Sequence, residues 1–306
     1  MGDSLSDEIE LSIIIVNYNS GKLLKEVILS IYNNIKNINY EIIVVDNNST
    51  DKSLAFNLPK IPFKLLKLKS NFGFGKANNI GVKNANGKYL YFLNPDAFII
   101  DENTAFLLEE FEKDKKIGIV APEILNTNGT LQYSCRLSPN VKRLFFYTFG
   151  ITKIFRSKYV CDYKMEYWDH SKPIFSDWVS GAAFIIRKDT FNKVDGFDEI
   201  FFLFYEDVDL CKKVNDIGLK IKYCPLAKVE HIWGGTSMNL KEFTQKEEFR
   251  SRFKYFKKHH SALKLIEIKL LTFINVLFRI LFFTVKGEFS KSLIFLKSLN
   301  IFFNEK

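Results

Sequence analysis

Small polar side chains and carboxylates follow each of four short apolar runs in the first hundred residues. They are Asn17, Tyr18 and Asn19 after the first run, residues 46–51 after the second, residues 71–75 after the third, and residues 94–96 after the fourth. If these runs form parallel strands, their carboxyl ends lie at one edge of a sheet, which is where open parallel sheets bind ligands. The sequence therefore predicts a cleft lined with hydrogen-bonding groups at that edge.

Two carboxylates in this set have both a chemical and a structural interpretation. Asp46 ends the second run, where it would either accept hydrogen bonds from a nucleotide base or ribose, or form an Asx turn. Asp96 follows Asn94 and Pro95, and a single carboxylate beside a diphosphate is a typical holder of Mg²⁺ or Mn²⁺ because the phosphates supply the other oxygens. Asn-Pro and Pro-Asp dipeptides also form turns. From spacing alone, the turn is favoured at 94–96.

A third group of acids, Glu206, Asp207 and Asp209, opens a helical pattern. Asp207 precedes apolar positions by three, four and seven residues, so the pattern predicts it on the inward face of the helix. Glu206 and Asp209 are expected more to the side, with Asp209 paired to Lys213. Residues 201–205 just before them are apolar, and partial desolvation there would raise the pKa of a carboxylate towards the range of a general base. A helix cap is the alternative role.

The alternation of apolar runs and helical patterns predicts an α/β fold with a mostly parallel sheet flanked by helices. The expected strands are 11–16, 41–45, 63–68, 89–93, 180–186 and 219–223, and the expected helices begin near residues 20, 77, 104, 188 and 206. Residues 126–175 show no clear period. A dinucleotide fold would need G-x-G-x-x-G after the first strand. Asn-Tyr-Asn-Ser-Gly stands there instead, and there is no Walker A loop, so dehydrogenases and P-loop NTPases are excluded.

Six motifs in order resemble those of family 2 glycosyltransferases, in particular the bacterial rhamnosyltransferase-like members. They are SIIIVNYN (12–19), VVDNNSTD (44–51), NFGFGKANNIG (71–81), YFLNPDAFI (91–99), the segment 180–213 with its Glu-Asp pair, and His231. The resemblance covers about residues 11–240. It implies a GT-A fold and an inverting enzyme of cell-surface polysaccharide synthesis. Such an enzyme moves a sugar such as rhamnose from a nucleoside-diphosphate sugar to a hydroxyl of a glycan or lipid-linked glycan.

The resemblance also implies a role for individual residues. The residues implied in nucleotide-sugar binding are Asn17, Tyr18, Asp46, Asn71, Gly73, Phe74, Asn78 and Asn94. Gly181 and Glu206 are implied in acceptor binding, and Asp96 and His231 in binding a divalent metal (Mn²⁺ or Mg²⁺). Asp207 is implied as the general base. By spacing alone, His231 would be an ordinary polar residue of the core or surface. Asn94 stands where the family motif has an aspartate, so the site carries one fewer negative charge and low metal affinity is expected without the donor.

The chain carries a net charge of +9, and its last segment holds most of it. Residues 241–306 contain 14 Lys+Arg and 6 Asp+Glu, whereas residues 1–240 contain 30 and 29. The basic segment is also rich in Phe, Leu and Ile, which indicates a membrane surface rather than nucleic acid as its partner. We therefore expect a disordered N-terminus at 1–10, a catalytic domain at 11–240, and a basic, apolar helical tail at 241–306.

Residues 265–285 of the tail form a broadly apolar helical pattern with a narrow polar stripe. Charged residues interrupt it, so we expect it to lie on the membrane rather than to cross it. The stripe consists of Thr272, Asn275, Arg279 and Lys286. Packing against the catalytic domain or in a homo-oligomer is the alternative for this helix. The expected location is cytoplasmic, peripheral on the inner face of the cell membrane. The four cysteines lack metal or disulfide spacing and are expected to be reduced and buried.

Two other functions compete with catalysis of sugar transfer. A catalytically inactive, membrane-peripheral scaffold on the same fold would not need Asp96, Asp207 and His231, and all three are present. A nucleotidyltransferase acting on sugar phosphates usually has a glycine-rich, basic loop after the first strand, which this sequence lacks.

Overall fold

The structure, a computed structural model, describes residues 8–232 and 241–304, and the side chains of all of these except residues 303 and 304. By its contacts the chain forms two compact units. Within the described residues, the first contains 8–136, 169–199 and 206–232, and the second contains 137–168, 200–205 and 241–304. The predicted boundary at 240 and residues 1–7 of the predicted disordered terminus lie outside the described residues. Segments 137–168 and 200–205, which the sequence places in the catalytic domain, pack in the second unit.

The first unit is built on a mixed sheet of nine strands. The strands of this unit are β1 (Leu11–Asn17), β2 (Tyr40–Asp46), β3 (Lys64–Lys67), β4 (Tyr89–Leu93), β5 (Ala97–Ile99), β6 (Ile117–Leu125), β7 (Cys135–Arg136), β8 (Ile174–Ser176), β9 (Trp178–Val179), β10 (Ala183–Arg187) and β11 (Lys220–His231). The sheet order is β3-β2-β1-β4-β10-β6-β11-β5, with β8 also paired to β11, while β7 and β9 form a separate ribbon. Strands β3, β2, β1 and β4 are parallel, and β10 is antiparallel to both of its neighbours.

Local sequence explains why these segments adopt their structures. All seven residues of β1 are buried, as expected for a β-branched run covered on both faces of a sheet. The helices of this unit are α1 (Leu23–Asn34), α2 (Phe74–Val82), α3 (Thr104–Lys113), α6 (Lys188–Lys193) and α7 (Glu206–Asp216). Helix α1 buries Leu24, Val27, Ile28 and Ile31, whose spacing of three and four gives it one apolar face. The predicted α/β architecture is confirmed.

One edge of the sheet collects the segments that the sequence singles out. In the parallel pairing, Asn17 at the end of β1 lies opposite Asp46 at the end of β2. Because β10 is antiparallel to β4, its first residue, Ala183, lies opposite Leu93, the last residue of β4. The end of β11 reaches the same region, where His231 lies opposite Ala97.

The second unit is helical. Its helices are α4 (Val141–Thr148), α5 (Ile151–Ile154), α8 (Lys241–His259), α9 (Ala262–Val285), α10 (Phe289–Ser298) and α11 (Asn300–Asn304). Among the described residues, α9 is the one helix long and apolar enough to cross a membrane by length and composition, although its interrupting charges led us to expect otherwise. One such helix is weak evidence for a crossing, since length and composition do not show what surrounds it.

Candidate active site

Asn17 and Asp46 form the centre of a buried network at the ends of β1 and β2. The Asn17 amide nitrogen lies 2.8 Å from Asp46 Oδ1, 3.0 Å from Ser49 Oγ and 2.9 Å from Ser53 Oγ. The other Asp46 oxygen accepts a hydrogen bond from the Ser49 backbone N–H. Asn17 is therefore held within the protein and fixes the orientation of Asp46. Tyr18, the next residue, is half-buried at the same edge.

The loop after β3 is fixed by Asn47, which belongs to the predicted polar set 46–51 but has no role of its own in the sequence analysis. The Asn47 amide nitrogen donates to Asn71 Oδ1 at 2.8 Å and to the Gly73 carbonyl at 3.1 Å, and its oxygen accepts from the Phe72 N–H. Gly73 has a φ of 84°, which favours glycine, and it immediately precedes α2. The signal that could have found Asn47 is its place directly after Asp46, on a strand that neighbours this loop.

Phe74 and Asn78, which the resemblance assigns to nucleotide-sugar binding, lie on α2. Phe74 is its first residue and is half-buried. The Asn78 side chain is buried and donates to the Phe74 carbonyl at 3.0 Å, so it stabilises the first turn of the helix. Phe74 is thus the more accessible of the two.

Asp96 and His231 come together from different strands. His231 Nε2 lies 3.3 Å from Asp96 Oδ1, and both side chains are largely buried. On the other side of the ring, His231 Nδ1 lies 2.8 Å from Gln132 Oε1. The Gln132 amide nitrogen donates to Asn126 Oδ1 and to the His231 carbonyl, which leaves its oxygen to accept from Nδ1–H. In a neutral imidazole, this assignment places the lone pair of Nε2 towards Asp96.

This pair suits a divalent cation. A neutral imidazole nitrogen and a carboxylate oxygen are both acceptors, so their approach is favourable when a proton or a metal ion lies between them. In the stretches 8–232 and 241–304, no third His, Cys, Asp or Glu completes a metal cluster. The pair therefore fits a metal whose other ligands come from a bound diphosphate. Gln132, which the sequence does not single out, fixes the tautomer that such binding needs.

Asn94 lies next to this pair and is anchored by its backbone. The Asn94 N–H donates to the Ala182 carbonyl at 2.9 Å, and the Asn94 carbonyl accepts from the Ala97 N–H, which closes a turn over Pro95 and Asp96. The turn interpretation of this motif and its chemical interpretation are both compatible with this geometry. The side-chain oxygen of Asn94 is buried and accepts no hydrogen bond from any described residue.

Asp207 lies at the start of α7, held by two backbone groups. Gly181 N–H donates to Asp207 Oδ2 and Val208 N–H donates to Oδ1, both at 2.8 Å. Burial raises the pKa of Asp207 above the ordinary aspartate range, and these hydrogen bonds and the charge of Arg136 oppose that rise. A β-carbon at position 181 would lie 3.4 Å from the carboxylate. A carboxylate that is oriented in this way and has a raised pKa suits a general base.

Glu206 is the more deeply buried acid of the pair. Its Oε2 atom has no hydrogen-bond partner within the described parts of the chain. Burial, and to a lesser extent the neighbouring Asp207, raise the pKa of Glu206 well above its usual range. A β-carbon added to Gly75 would lie 3.6 Å from Glu206 Cβ, so the first turn of α2 packs against it. The start of α2, where nucleotide-sugar binding is predicted, and the acidic pair therefore lie close together.

The expected arrangement of acids around α7 needs correction. Glu206 and Asp209, predicted at the side of the helix, are buried, whereas Asp207 retains some exposure. The reason is that α7 packs on β6, β9 and β11, so more than one of its faces is covered. The predicted proximity of Asp209 and Lys213 is confirmed, with 3.9 Å between Asp209 Oδ2 and Lys213 Nζ.

Arg136 is a further residue that the sequence does not single out. Its guanidinium stacks 4.8 Å from the centre of the Trp178 ring, and its Nε donates to the Tyr133 carbonyl. From there its positive charge stabilises the ionised form of Asp207. Segment 126–175 lacks a clear period, so the sequence could not place this arginine near the acidic pair.

The four cysteines, at positions 135, 161, 211 and 224, are free and buried, as predicted. Burial raises the pKa of the Cys135 thiol to about 12. Cys135 Sγ lies 3.5 Å from His170 Nδ1, in a buried aromatic cluster with Tyr133 and Tyr223. These groups pack in the core of the first unit.

Comparison with solved structures defines the fold class. The structure is similar to GalNAc-T7 with UDP, GalNAc and Mn²⁺, with a TM-score of 0.58, 18% identity, and coverage of 80% of this chain and 48% of that one. It is also similar to the mannosyltransferase PcManGT from Pyrobaculum calidifontis with GDP-Man and Mn²⁺. There the TM-score is 0.56 with 15% identity, over 96% of this chain and 75% of the other. The chain therefore has a GT-A-like fold.

The family follows from the sequence match. Residues 12–164, half of the chain, match Glycosyl transferase family 2, and the chain belongs to that family. It is 26% identical to the N-acetylglucosaminyl-diphospho-decaprenol L-rhamnosyltransferase of Mycobacterium tuberculosis, over 62% of this chain and 66% of that protein. It is also 26% identical to rhamnosyltransferase WbbL of Escherichia coli K12, over 72% of this chain and 82% of WbbL. The chain thus spans about two thirds of the length of the mycobacterial relative.

Proposed function

We propose that this protein transfers a sugar, with inversion, from a nucleoside-diphosphate sugar to a hydroxyl of a glycan or lipid-linked glycan in cell-surface polysaccharide synthesis. The observation that carries the proposal is that two consecutive residues, Gly181 and Ala182, contact the two parts of the site. The N–H of Gly181 orients Asp207, and the carbonyl of Ala182 anchors Asn94 in the turn that contains Asp96. The general base and the diphosphate-binding turn are thereby fixed against each other through adjacent peptide groups.

The residues of the site divide the chemistry among them. Asp207 accepts the proton of the acceptor hydroxyl as that oxygen attacks the anomeric carbon from the face opposite the leaving group. The raised pKa of Glu206 favours its protonated form, which can donate a hydrogen bond to the acceptor. Asp96 and His231 would hold Mn²⁺ or Mg²⁺ together with the donor phosphates. When bound, this ion neutralises the charge that develops on the departing nucleoside diphosphate.

The relatives support rhamnose as the sugar and a lipid-linked acceptor. One relative is named for L-rhamnose transfer to N-acetylglucosaminyl-diphospho-decaprenol, and another is a rhamnosyltransferase. The two similar structures contain Mn²⁺ with a nucleotide or nucleotide sugar, which supports the metal dependence proposed here. The Asp96–His231 pair is the feature of this chain that matches such a requirement.

A donor panel tests the proposal. The protein is mixed with Mn²⁺, a polyprenyl-diphosphate-linked N-acetylglucosamine acceptor, and thymidine, uridine or guanosine diphosphate sugars in turn. Release of the nucleoside diphosphate and mass of the lipid product are measured. We expect metal-dependent release from the thymidine diphosphate rhamnose donor, with a product heavier by one deoxyhexose. Binding of a donor without turnover of any member of the panel would instead identify the inactive scaffold, and would overturn the proposal.

A further inference from the structure

Three residues of the predicted polar stripe, Thr272, Asn275 and Arg279, lie on the packed side of helix α9 in the second unit, whereas Lys286 follows the last residue of the helix and is exposed. Thr272 and Asn275 are 2% and 5% exposed. The exposed apolar side chains recur every three or four residues along the opposite face. They are Leu263, Ile266, Leu270, Ile274, Leu277, Phe278, Leu281, Phe282 and Val285. A helix in water normally has the reverse arrangement.

Hydrogen bonds hold the polar stripe against the rest of the unit. The Asn275 amide donates to the Thr148 carbonyl at the end of α4, and Arg279 Nε donates to Asn275 Oδ1 at 3.0 Å. Buried Arg252 of α8 lies with its Nη1 3.4 Å from Thr272 Oγ1. These contacts fix the rotation of α9 about its axis. Its apolar face consequently points away from the helices that it packs against.

Helix α10 continues this outward apolar face. It packs on α9 through stacked Phe283 and Phe295 rings, 5.8 Å apart, and through the hydroxyls of Thr284 and Ser292 at 2.8 Å. Phe289, Leu293 and Leu296 of α10 are exposed. We define the α9–α10 apolar surface as the exposed apolar side chains of these two helices. So many contiguous apolar side chains indicate an interaction surface.

Charge distinguishes between the partners that such a surface could have. The described segments of the second unit contain 19 Lys+Arg and 7 Asp+Glu, a balance of +12, whereas those of the first contain 24 and 25, a balance of −1. A second copy of this unit would bring the same positive charge to the contact, and the two would repel. An anionic lipid leaflet offers both an apolar interior and the complementary charge.

We propose that the α9–α10 apolar surface inserts into the anionic leaflet of a lipid bilayer. Because Thr272, Asn275 and Arg279 bind other helices of the unit, one face of α9 is committed to protein and the other is available to lipid. The helix then lies along the leaflet, with Lys264, Lys269 and Lys286 near the head groups. This surface would hold the protein at the inner face of the cell membrane, the location predicted from the sequence.

Vesicle sedimentation with the full chain tests the surface. Vesicles of phosphatidylcholine alone are compared with vesicles that also contain phosphatidylglycerol, at low and high salt. The test variant is Leu277→Glu, and its matched control is Leu226→Glu on β11 of the first unit, because these leucines are 45% and 46% exposed. Circular dichroism checks that both variants are folded.

We expect the wild-type chain and Leu226→Glu to bind phosphatidylglycerol vesicles equally, and to bind them less at high salt. Leu277→Glu should bind about tenfold more weakly, because it removes one inserted apolar side chain and adds a charge. Equal binding of both variants, or no binding of the wild type to any vesicle, overturns the proposal. So does a wild-type dimer that Leu277→Glu dissociates in the absence of lipid, since that outcome identifies a second copy as the partner.

Discussion

The two units of this chain arrange their polar and apolar side chains in opposite ways. In the first unit, apolar β-branched residues fill the sheet, and polar side chains gather at the ends of the strands. In the second unit, Thr272 and Asn275 of α9 are buried, while leucine, isoleucine and phenylalanine side chains on the same helix are exposed. An apolar pattern thus gives the direction of burial only when the surrounding medium is known.

The difference extends to charge. The first unit is close to neutral, whereas the second unit carries more than the whole net charge of the chain. Under the proposed function, the first unit binds an anionic nucleotide sugar, and a cation held by Asp96 and His231 would offset the charge of its phosphates. The proposed partner of the second unit, an anionic leaflet, would instead be met by lysines spread over its helices.

The most severe test of the first unit is Asp207→Asn. We expect sugar transfer to fall by about 10²- to 10⁴-fold, because the amide cannot accept the acceptor proton. Donor binding, measured by calorimetry, should remain. The matched control is Asp216→Asn at the exposed end of the same helix, which should retain activity. Full transfer by Asp207→Asn would remove Asp207 from the mechanism.

Gln132→Leu should weaken Mn²⁺ binding about 10- to 100-fold, because the partner that fixes the His231 tautomer is lost. Binding is measured by electron paramagnetic resonance of Mn²⁺ with uridine or thymidine diphosphate present, so the result does not depend on turnover. The other glutamine of the chain, Gln245, provides the control substitution Gln245→Leu. Unchanged affinity in Gln132→Leu would show that the Gln132–His231 hydrogen bond does not support metal binding.

Two substitutions on α9 test the reversed polarity of the second unit directly. Asn275→Leu should reduce the free energy of unfolding by about 1–3 kcal/mol, although leucine is more apolar, because Arg279 and the Thr148 carbonyl lose a buried partner. Ile274→Asn, at the exposed neighbouring position, should change it by no more than about 0.5 kcal/mol. Chemical denaturation measures both. The reverse order of effects would show that the polar face of α9 is turned outward.

A smaller effect should appear in the pH dependence of stability through Glu206. Its raised pKa means that the folded chain binds this proton more tightly than the unfolded chain does. The stability it contributes is complete below the ordinary glutamate pKa, and is lost as pH rises through the raised pKa. The variant Glu206→Gln should not show this loss. Between the ordinary glutamate pKa and the raised pKa of Glu206, the stability of the variant relative to the wild type should therefore rise by roughly 1 kcal/mol per pH unit. Parallel pH profiles of the two proteins in thermal unfolding would contradict a raised pKa of Glu206.

The sequence predicts the first unit better than the second. The runs at 11–16, 41–45 and 89–93 could be identified as strands because each is a short, continuous apolar run, as expected for a strand buried on both faces of a sheet. Their polar ends then located the site. The network details could not be predicted, because Asn47, Gln132 and Arg136 act through partners that are distant along the chain.

The second unit shows where such prediction stops. The stripe of Thr272, Asn275 and Arg279 was visible from its spacing, but spacing does not show which side of a helix is covered. The partners that fix α9 are Thr148 and Arg252, and the first of these lies in a segment without a clear period. Only the packing of 137–168 with the tail reveals that the stripe faces inward.

The adjacency of Gly181 and Ala182 has a consequence for how this chain tolerates changes in length. The Gly181 N–H orients Asp207, the proposed general base, and the Ala182 carbonyl anchors the turn that contains Asp96, so an insertion or deletion of a single residue at 180–183 would shift one contact relative to the other. Loops elsewhere can lengthen without altering that spacing. The length of segment 180–183 therefore sets the distance between Asp207 and the turn that contains Asp96. Redesign of the specificity of this enzyme is best directed to segments other than 180–183.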